Sequence, residues 1–162
     1  MGNEEKEKKE LVEQFGIHFN RYHNLPPLTA RIMGILIVNC SKEGLTFQEL
    51  VTRTDASKSS VSTSLNHLLE LGKIMYYNLP DDRKKYFRPK RLVDRMDSHL
   101  RVINSEVELI EKMRAFSLKY QDPKNSEEFS GVVDTYLKYT TKIKKTLEEA
   151  SKELTKKEQK LI

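Results

Sequence analysis

The chain has 162 residues, with 29 Lys and Arg against 24 Asp and Glu, a formal net charge of +5. At 37% hydrophobic and 33% charged it can build one modest core, and six Gly and five Pro argue against a low-complexity or collagen-like chain. One cysteine excludes an intramolecular disulfide framework and a multi-cysteine zinc site, and no apolar run reaches the roughly 18 residues of a membrane span. The charged start, Met1 to Glu10, lacks an apolar signal core, and Lys6 breaks the myristoylation pattern. The expectation is a soluble protein of a reducing compartment, the bacterial cytoplasm, with no membrane partner.

Residues 4–23 read as a helix, since Leu11, Phe15, Phe19 and Tyr22 recur at helical spacing. Pro26 and Pro27 stop it. Thr29 is the expected cap of a second helix whose apolar stripe is Ile32, Met33, Leu36, Ile37 and Cys40, closed by Gly44. Thr46-Phe-Gln-Glu49 is a capping-box pattern opening a short third helix that ends near Asp55. Ser57 caps a fourth helix, 58–71, with Gly72 as its left-handed terminator. The third and fourth together form a helix-turn-helix.

After Gly72 the period changes. Ile74–Leu79 is rich in strand formers, Pro80–Lys84 is a charged turn, and Lys85–Arg88 returns as a second strand. From Leu92 the pattern is helical again, with Val93, Met96, Leu100, Ile103, Val107 and Ile110 on a heptad seam. Asp122-Pro123 interrupts it, and Ser126 is the expected cap of a last helix carrying Phe129, Val133, Tyr136, Thr140, Ile143, Leu147, Ala150 and Leu154. Seams of this length pack on each other or on another subunit. The expected domains are an N-terminal helix (1–24), a winged helix-turn-helix (25–91) and a helical region (92–162).

The charge is local. Residues 73–91 hold seven cations and two carboxylates, a surplus of five that equals the surplus of the whole chain. Such a concentration points to a polyanion contact. In the fourth helix Val61, Leu65, Leu68 and Leu69 define the face turned inward. The other side presents Ser59, Thr63 and Asn66, flanked by Ser60, Ser62 and His67. Short hydroxyl and amide side chains suit close approach to base edges and phosphates in a major groove. The helix N-terminus at Ser57 and Lys58 favours a phosphate. The basic tip, Arg83, Lys84 and Lys85, is placed to meet DNA backbone, with Arg83 directed along the minor groove.

Residues 10–91 resemble the winged helix-turn-helix of bacterial MarR-type transcriptional regulators, and more closely its GbsR-like branch. The resemblance rests on Leu28–Gly34, Leu45–Leu50, Ser57–Ser62, Leu68–Gly72 and Asp82–Tyr86, in that order and spacing. It implies a homodimer, a recognition helix at 58–71, a wing over 74–88 and dimerisation through the terminal helices. The tip departs from the commoner Asp-x-Arg pattern by carrying Lys84 in third place. The overall class expected is mainly α with a small β-hairpin wing (α+β) and long C-terminal dimerisation helices. The dimer candidates are Phe129, Val133, Tyr136, Ile143, Leu147 and Leu154.

The resemblance also implies a small-molecule effector, for which Phe15, Phe19, Tyr22 and His23 are the aromatic candidates; core packing or dimer contact explains them equally well. Cys40 continues an apolar stripe, where a thiol acts as a small hydrophobe rather than a redox sensor. No histidine pair has helical metal-site spacing beside a carboxylate, and no phosphate-binding Gly-rich loop, nucleophile elbow or HExxH occurs. The expectation is a non-enzymatic, cofactor-free repressor binding double-stranded DNA at a palindromic operator. A non-specific nucleic-acid-binding accessory protein and a protein-interaction adaptor using the C-terminal helices are the alternatives.

Overall fold

The computed structural model describes residues 2–39, 44–120 and 122–158. In chain order these form α1 (Gly2–His23), α2 (Pro27–Val38), β1 (Leu45–Thr46), α3 (Phe47–Thr54), α4 (Lys58–Glu70), β2 (Ile74–Asn78), β3 (Lys85–Pro89), α5 (Leu92–Tyr120) and α6 (Pro123–Glu158). They make a mostly helical chain with a small sheet and two long C-terminal helices that pack together, as the sequence leads one to expect. The helices and strands fall into two compact units, residues 1–90 and 91–162. The N-terminal helix, set apart as 1–24 in the sequence reading, belongs to the first unit.

The first unit is organised around α2. Thr29, Ala30 and the run Ile32 to Leu36 are buried, so neighbours press on α2 from several sides. α1 lies on one side, and its inward line is Val12, Phe15 and Phe19, not the line through Leu11 and Tyr22, which are 45% and 67% exposed. The small residues explain the rotation. A Cβ on Gly34 would sit 2.7 Å from the Val12 carbonyl oxygen and 3.2 Å from Phe15 Cβ. The missing side chain therefore admits the α1 backbone at this face.

α2 opens at Pro27, where a missing N–H costs nothing. Thr29 does not cap it; its buried hydroxyl donates to the buried Ser64 hydroxyl of α4 at 3.1 Å. Cys40 lies outside the described residues.

The sheet has order β1-β3-β2, all antiparallel, with Phe87 facing Leu45 on one side and Tyr76 on the other. β1 is only two residues long, and no periodicity in the sequence announces it. Leu45, Ile74 and Phe87 join Leu50, Val61, Leu65 and Leu68 in one core with the α1 and α2 side chains.

In the second unit, α5 and α6 run antiparallel. Ser117 and Ser126 are buried near the turn, with the Ser126 hydroxyl donating to the Ser117 carbonyl at 3.0 Å, and at the far end the Leu92 N–H donates to Glu158. α6 starts at Pro123 rather than at Ser126, and Asp122 accepts from the Lys124 N–H. Val93 of α5 and Val133 of α6 are buried.

The expected α6 seam divides. Phe129, Val133, Thr140, Leu147 and Leu154 turn inward, whereas Tyr136 and Ile143 are 40% and 53% exposed. The inward set and the outward pair are each spaced by seven but lie three residues apart, an offset of about 60° around the helix, so one line faces α5 and the other does not. Tyr136 and Ile143 instead join Val132 and Tyr139 in an outer stripe. α5 carries a matching one: Val102, Leu109, Met113, Phe116 and Tyr120. The Tyr136 hydroxyl donates to Glu106, which lies in the α5 stripe, so both stripes occupy the same side of the helical hairpin.

The two glycines at the α1–α2 contact are expected to respond oppositely. In Gly34→Ala, a helix-propensity gain of about 1 kcal/mol is outweighed by a backbone clash that no rotamer relieves. The net loss is about 1–2 kcal/mol, read by urea unfolding. In Gly16→Ala the new Cβ meets only the Arg31 backbone at 3.7 Å, an ordinary contact, so stability holds or rises. Equal responses would contradict the close approach at Gly34.

Candidate nucleic-acid interface

The helix-turn-helix is fixed at each end by local chemistry. Thr46 and Glu49 form the expected capping box: the Thr46 hydroxyl accepts from the Glu49 N–H at 3.3 Å, and the Glu49 carboxylate accepts from the Thr46 N–H at 2.7 Å. Hydrogen bonds from the Thr46 hydroxyl and N–H hold the Glu49 carboxyl below its usual range. Asp55 turns the chain with φ 53, a left-handed conformation that Asp tolerates. Ser57 then caps α4, accepting from the Ser60 N–H at 3.2 Å, and its hydroxyl also meets those of Ser59 and Ser60. Part of the serine cluster is therefore committed to starting the helix.

α4 buries Val61, Leu65 and Leu68 and turns Ser59, Ser60, Ser62, Thr63 and Asn66 outward, with Ser57 and Lys58 exposed at its start and His67 half-buried. Its C-terminus closes as a Schellman motif. Gly72 has φ 61, its N–H donates to the Leu69 carbonyl and the Lys73 N–H to that of Leu68. Lys73 then takes the Lys90 N–H at its own carbonyl, 3.0 Å, so the helix passes into the wing without slack.

The wing tip is built on Asp82. One carboxylate oxygen accepts from the Lys84 N–H at 2.9 Å and the other from the Tyr86 hydroxyl at 2.8 Å. The Asn78 amide donates to the Lys84 carbonyl at 3.1 Å across the hairpin. The bonds from the Lys84 N–H and then from the Tyr86 hydroxyl hold the Asp82 carboxyl below its usual range. The sequence reading missed this network; its signal was an Asp two residues before a backbone N–H that must turn, the Asx-turn pattern.

The three tip cations differ. Lys84 Nζ lies 3.9 Å from Asp82, and Lys85 Nζ lies 4.2 Å from the centre of the Tyr76 ring. Arg83 makes no ion pair among the described residues and is exposed. α4 and the wing belong to one unit and are joined by Gly72 and Lys73, so the short polar face and the cationic tip are carried by one compact unit.

The four aromatic effector candidates lie in unlike surroundings. Phe19 is 2% exposed within the core and Phe15 packs beside it, whereas Tyr22 stands 67% exposed. The His23 ring lies tilted beside that of Phe19, centroids 5.2 Å apart, and approaches Lys73 Nζ at 3.4 Å. Among the described residues no cluster of three or more His, Cys, Asp or Glu is arranged to hold a metal, and no helix is long and apolar enough to cross a membrane.

The fold and this surface define a winged helix-turn-helix. No family model matches the chain. It is 37% identical over 79 residues to the HTH-type transcriptional regulator MmpR5 of Mycobacterium tuberculosis, a stretch that covers 49% of this chain and 47%, about half, of that relative. A crystal structure of a transcriptional regulator superposes on 93% of the chain and 99% of its own length, with a TM-score of 0.67 and 23% identity. At that identity the likeness speaks for the fold.

Asp82→Ala is expected to leave the unfolding midpoint nearly unchanged while speeding amide exchange at Arg83 and Lys84. Because the Asp82 pKa is lowered, the order it gives the tip is present above the usual carboxylate range and is lost as pH falls through the lowered value. Protection at Lys84 that is indifferent to both the substitution and acid would overturn the assignment.

Proposed function

We propose that the chain is a MarR-type transcriptional regulator of the GbsR-like branch, acting in the cytoplasm as a homodimer that represses by occupying palindromic double-stranded DNA. The carrying observation is the outer face of α4, short and polar, beside a cationic wing fixed to the same helix by two residues. Small hydroxyl and amide groups on Ser59, Ser62, Thr63 and Asn66 suit base edges in the major groove. Arg83 suits the minor groove and Lys84 and Lys85 the phosphates. The match to MmpR5 and the likeness to a solved regulator support the same reading.

The outer stripe of the second unit supports the dimer. Nine large apolar side chains from α5 and α6, each 40–68% exposed, form one side of the helical hairpin. Monomers rarely expose contiguous apolar patches beyond a few hundred Å². A second copy, meeting the same face across a two-fold axis, covers it. Tyr136 and Ile143 of the six dimer candidates lie on this face, whereas Val133 is already buried within the chain.

Fluorescence anisotropy with a duplex from upstream of the chain's own gene tests the reading. Preference over random duplex by a factor of about 10³ or more is expected at physiological salt. Thr63→Ala or Asn66→Ala relaxes that preference by about 1–3 kcal/mol, whereas Lys84→Ala weakens all duplexes alike and lowers the salt slope by about 0.9. Equal affinity for both duplexes overturns sequence-specific regulation in favour of an accessory nucleic-acid binder. No binding at low salt leaves the adaptor. For the dimer, Tyr139→Glu combined with Ile143→Glu is expected to give a folded monomer by light scattering; a persistent dimer refutes the outer stripe as its interface.

A further inference from the structure

Ser64 stands in the inward line of α4, between Val61, Leu65 and Leu68, and is only 6% exposed. Its hydroxyl accepts from that of Thr29 on α2 at 3.1 Å, across 35 residues of sequence. Thr29 is itself 2% exposed. The buried side chains beside the pair on α2 are apolar as well: Ala30, Ile32 and Met33. Two hydroxyls thus meet inside an otherwise apolar helix contact.

The Thr29 end of the bond is held firmly. α2 begins after Pro26, the Ala30 N–H donates to the Pro26 carbonyl at 2.9 Å, and the Asn20 amide of α1 donates to the Leu25 carbonyl at 2.7 Å just upstream. Branching at Cβ restricts the Thr29 χ1 angle. Its hydroxyl is therefore a fixed point, and α4 meets it at one side chain. Burial of Val61, Leu65 and Leu68 holds α4 against the core, but apolar attraction has no direction. A hydrogen bond does, since it weakens steeply when misaligned. Its share of the stability is replaceable: exchanging both partners for apolar groups of like shape is nearly neutral, whereas exchanging one strands the other.

Helical geometry carries this constraint to the outer face. Ser62 and Asn66 stand about 160° from Ser64 around the axis, one to each side. At a radius of about 5–6 Å, a roll of about 20° moves a side-chain tip by about 2 Å. That displacement is enough to lose a hydrogen bond to a base edge. We infer that Thr29 and Ser64 are positioning residues for sequence recognition: their bond fixes the roll of α4, and with it the register in which Ser62 and Asn66 meet the bases. The positioning role rests on the DNA-binding reading above and deepens it, assigning sequence preference to two buried residues that do not reach a duplex.

Duplex anisotropy and urea unfolding of the full-length chain separate positioning from support. Thr29→Val combined with Ser64→Ala keeps the shape and removes the bond. Its unfolding midpoint and its affinity for random duplex are expected to match wild type, while its preference for the chain's own upstream duplex falls about tenfold. Thr29→Ser keeps the hydroxyl and gives up a buried methyl, so its midpoint falls while its preference is retained. Stability and specificity then move in opposite senses in the two proteins. Without duplex, methyl relaxation-dispersion NMR reads the roll itself. The Val61, Leu65 and Leu68 methyls are expected to exchange between environments on the μs–ms scale in the double variant, and not in wild type or Thr29→Ser.

A double variant that keeps its full preference overturns the positioning role. So does Thr29→Ser that loses as much preference as the double variant, since the bond is then not what the preference follows. α4 methyls as quiet in the double variant as in wild type overturn it as well. A wild-type chain that binds both duplexes alike refutes sequence-specific regulation instead. The methyl measurement still decides in that case whether the pair fixes the roll of α4: exchange in the double variant upholds it, and its absence refutes it.

Discussion

The first unit depends on the burial of α2. Five consecutive residues, Ile32 to Leu36, are shielded from water, which one amphipathic stripe on a surface helix does not achieve. α1 reaches it across Gly34, α4 packs its Val61–Leu65–Leu68 line toward it, and β3 lies against it as well. A polar bond crosses this apolar contact, from Thr29 to Ser64. Both hydroxyls are buried, so losing either partner leaves the other unsatisfied, at about 1–3 kcal/mol. The bond thus favours one rotation of α4 about its axis, which decides which of its polar side chains face outward.

Much of this was legible in the sequence because the informative signals are local. A capping box needs only Thr46 and Glu49, and a Schellman ending needs Gly72 at the right place; both formed as read. The hairpin likewise follows from strand formers on either side of a charged turn. The misreadings arose where a local signal competes with packing. Thr29 looks like a cap and Ser126 looks like another, but each hydroxyl is spent inside a contact between helices. The face of α1 was misjudged by one position because spacing alone does not know where a glycine on the partner lets the backbone in. β1 was invisible because two residues carry no period.

The candidate interface divides in the same way. The outward side chains of α4 follow from its inward ones by helical geometry, and the tip cations are evident from composition. What holds the tip in shape, Asp82 with Tyr86 and Asn78, depends on pairing across the hairpin. In α6 a regular heptad repeat suggests one seam, whereas the helix presents two, an inner line toward α5 and an outer line continuous with the exposed stripe of α5.

The junction between α4 and β2 sets how the chain tolerates change in length. Gly72 and Lys73 are both tied by backbone hydrogen bonds, to the end of the helix and across to Lys90. An insertion there breaks the Schellman bonds and slips β2 against β3, which exchanges the faces of Tyr76 and Tyr77. The hairpin tip is different, since residues 80–82 lie beyond the last paired positions, Asn78 and Lys85. Variation in wing length is therefore confined to the tip. A lineage built on this scaffold can lengthen or shorten the tip while the angle between helix and wing stays fixed.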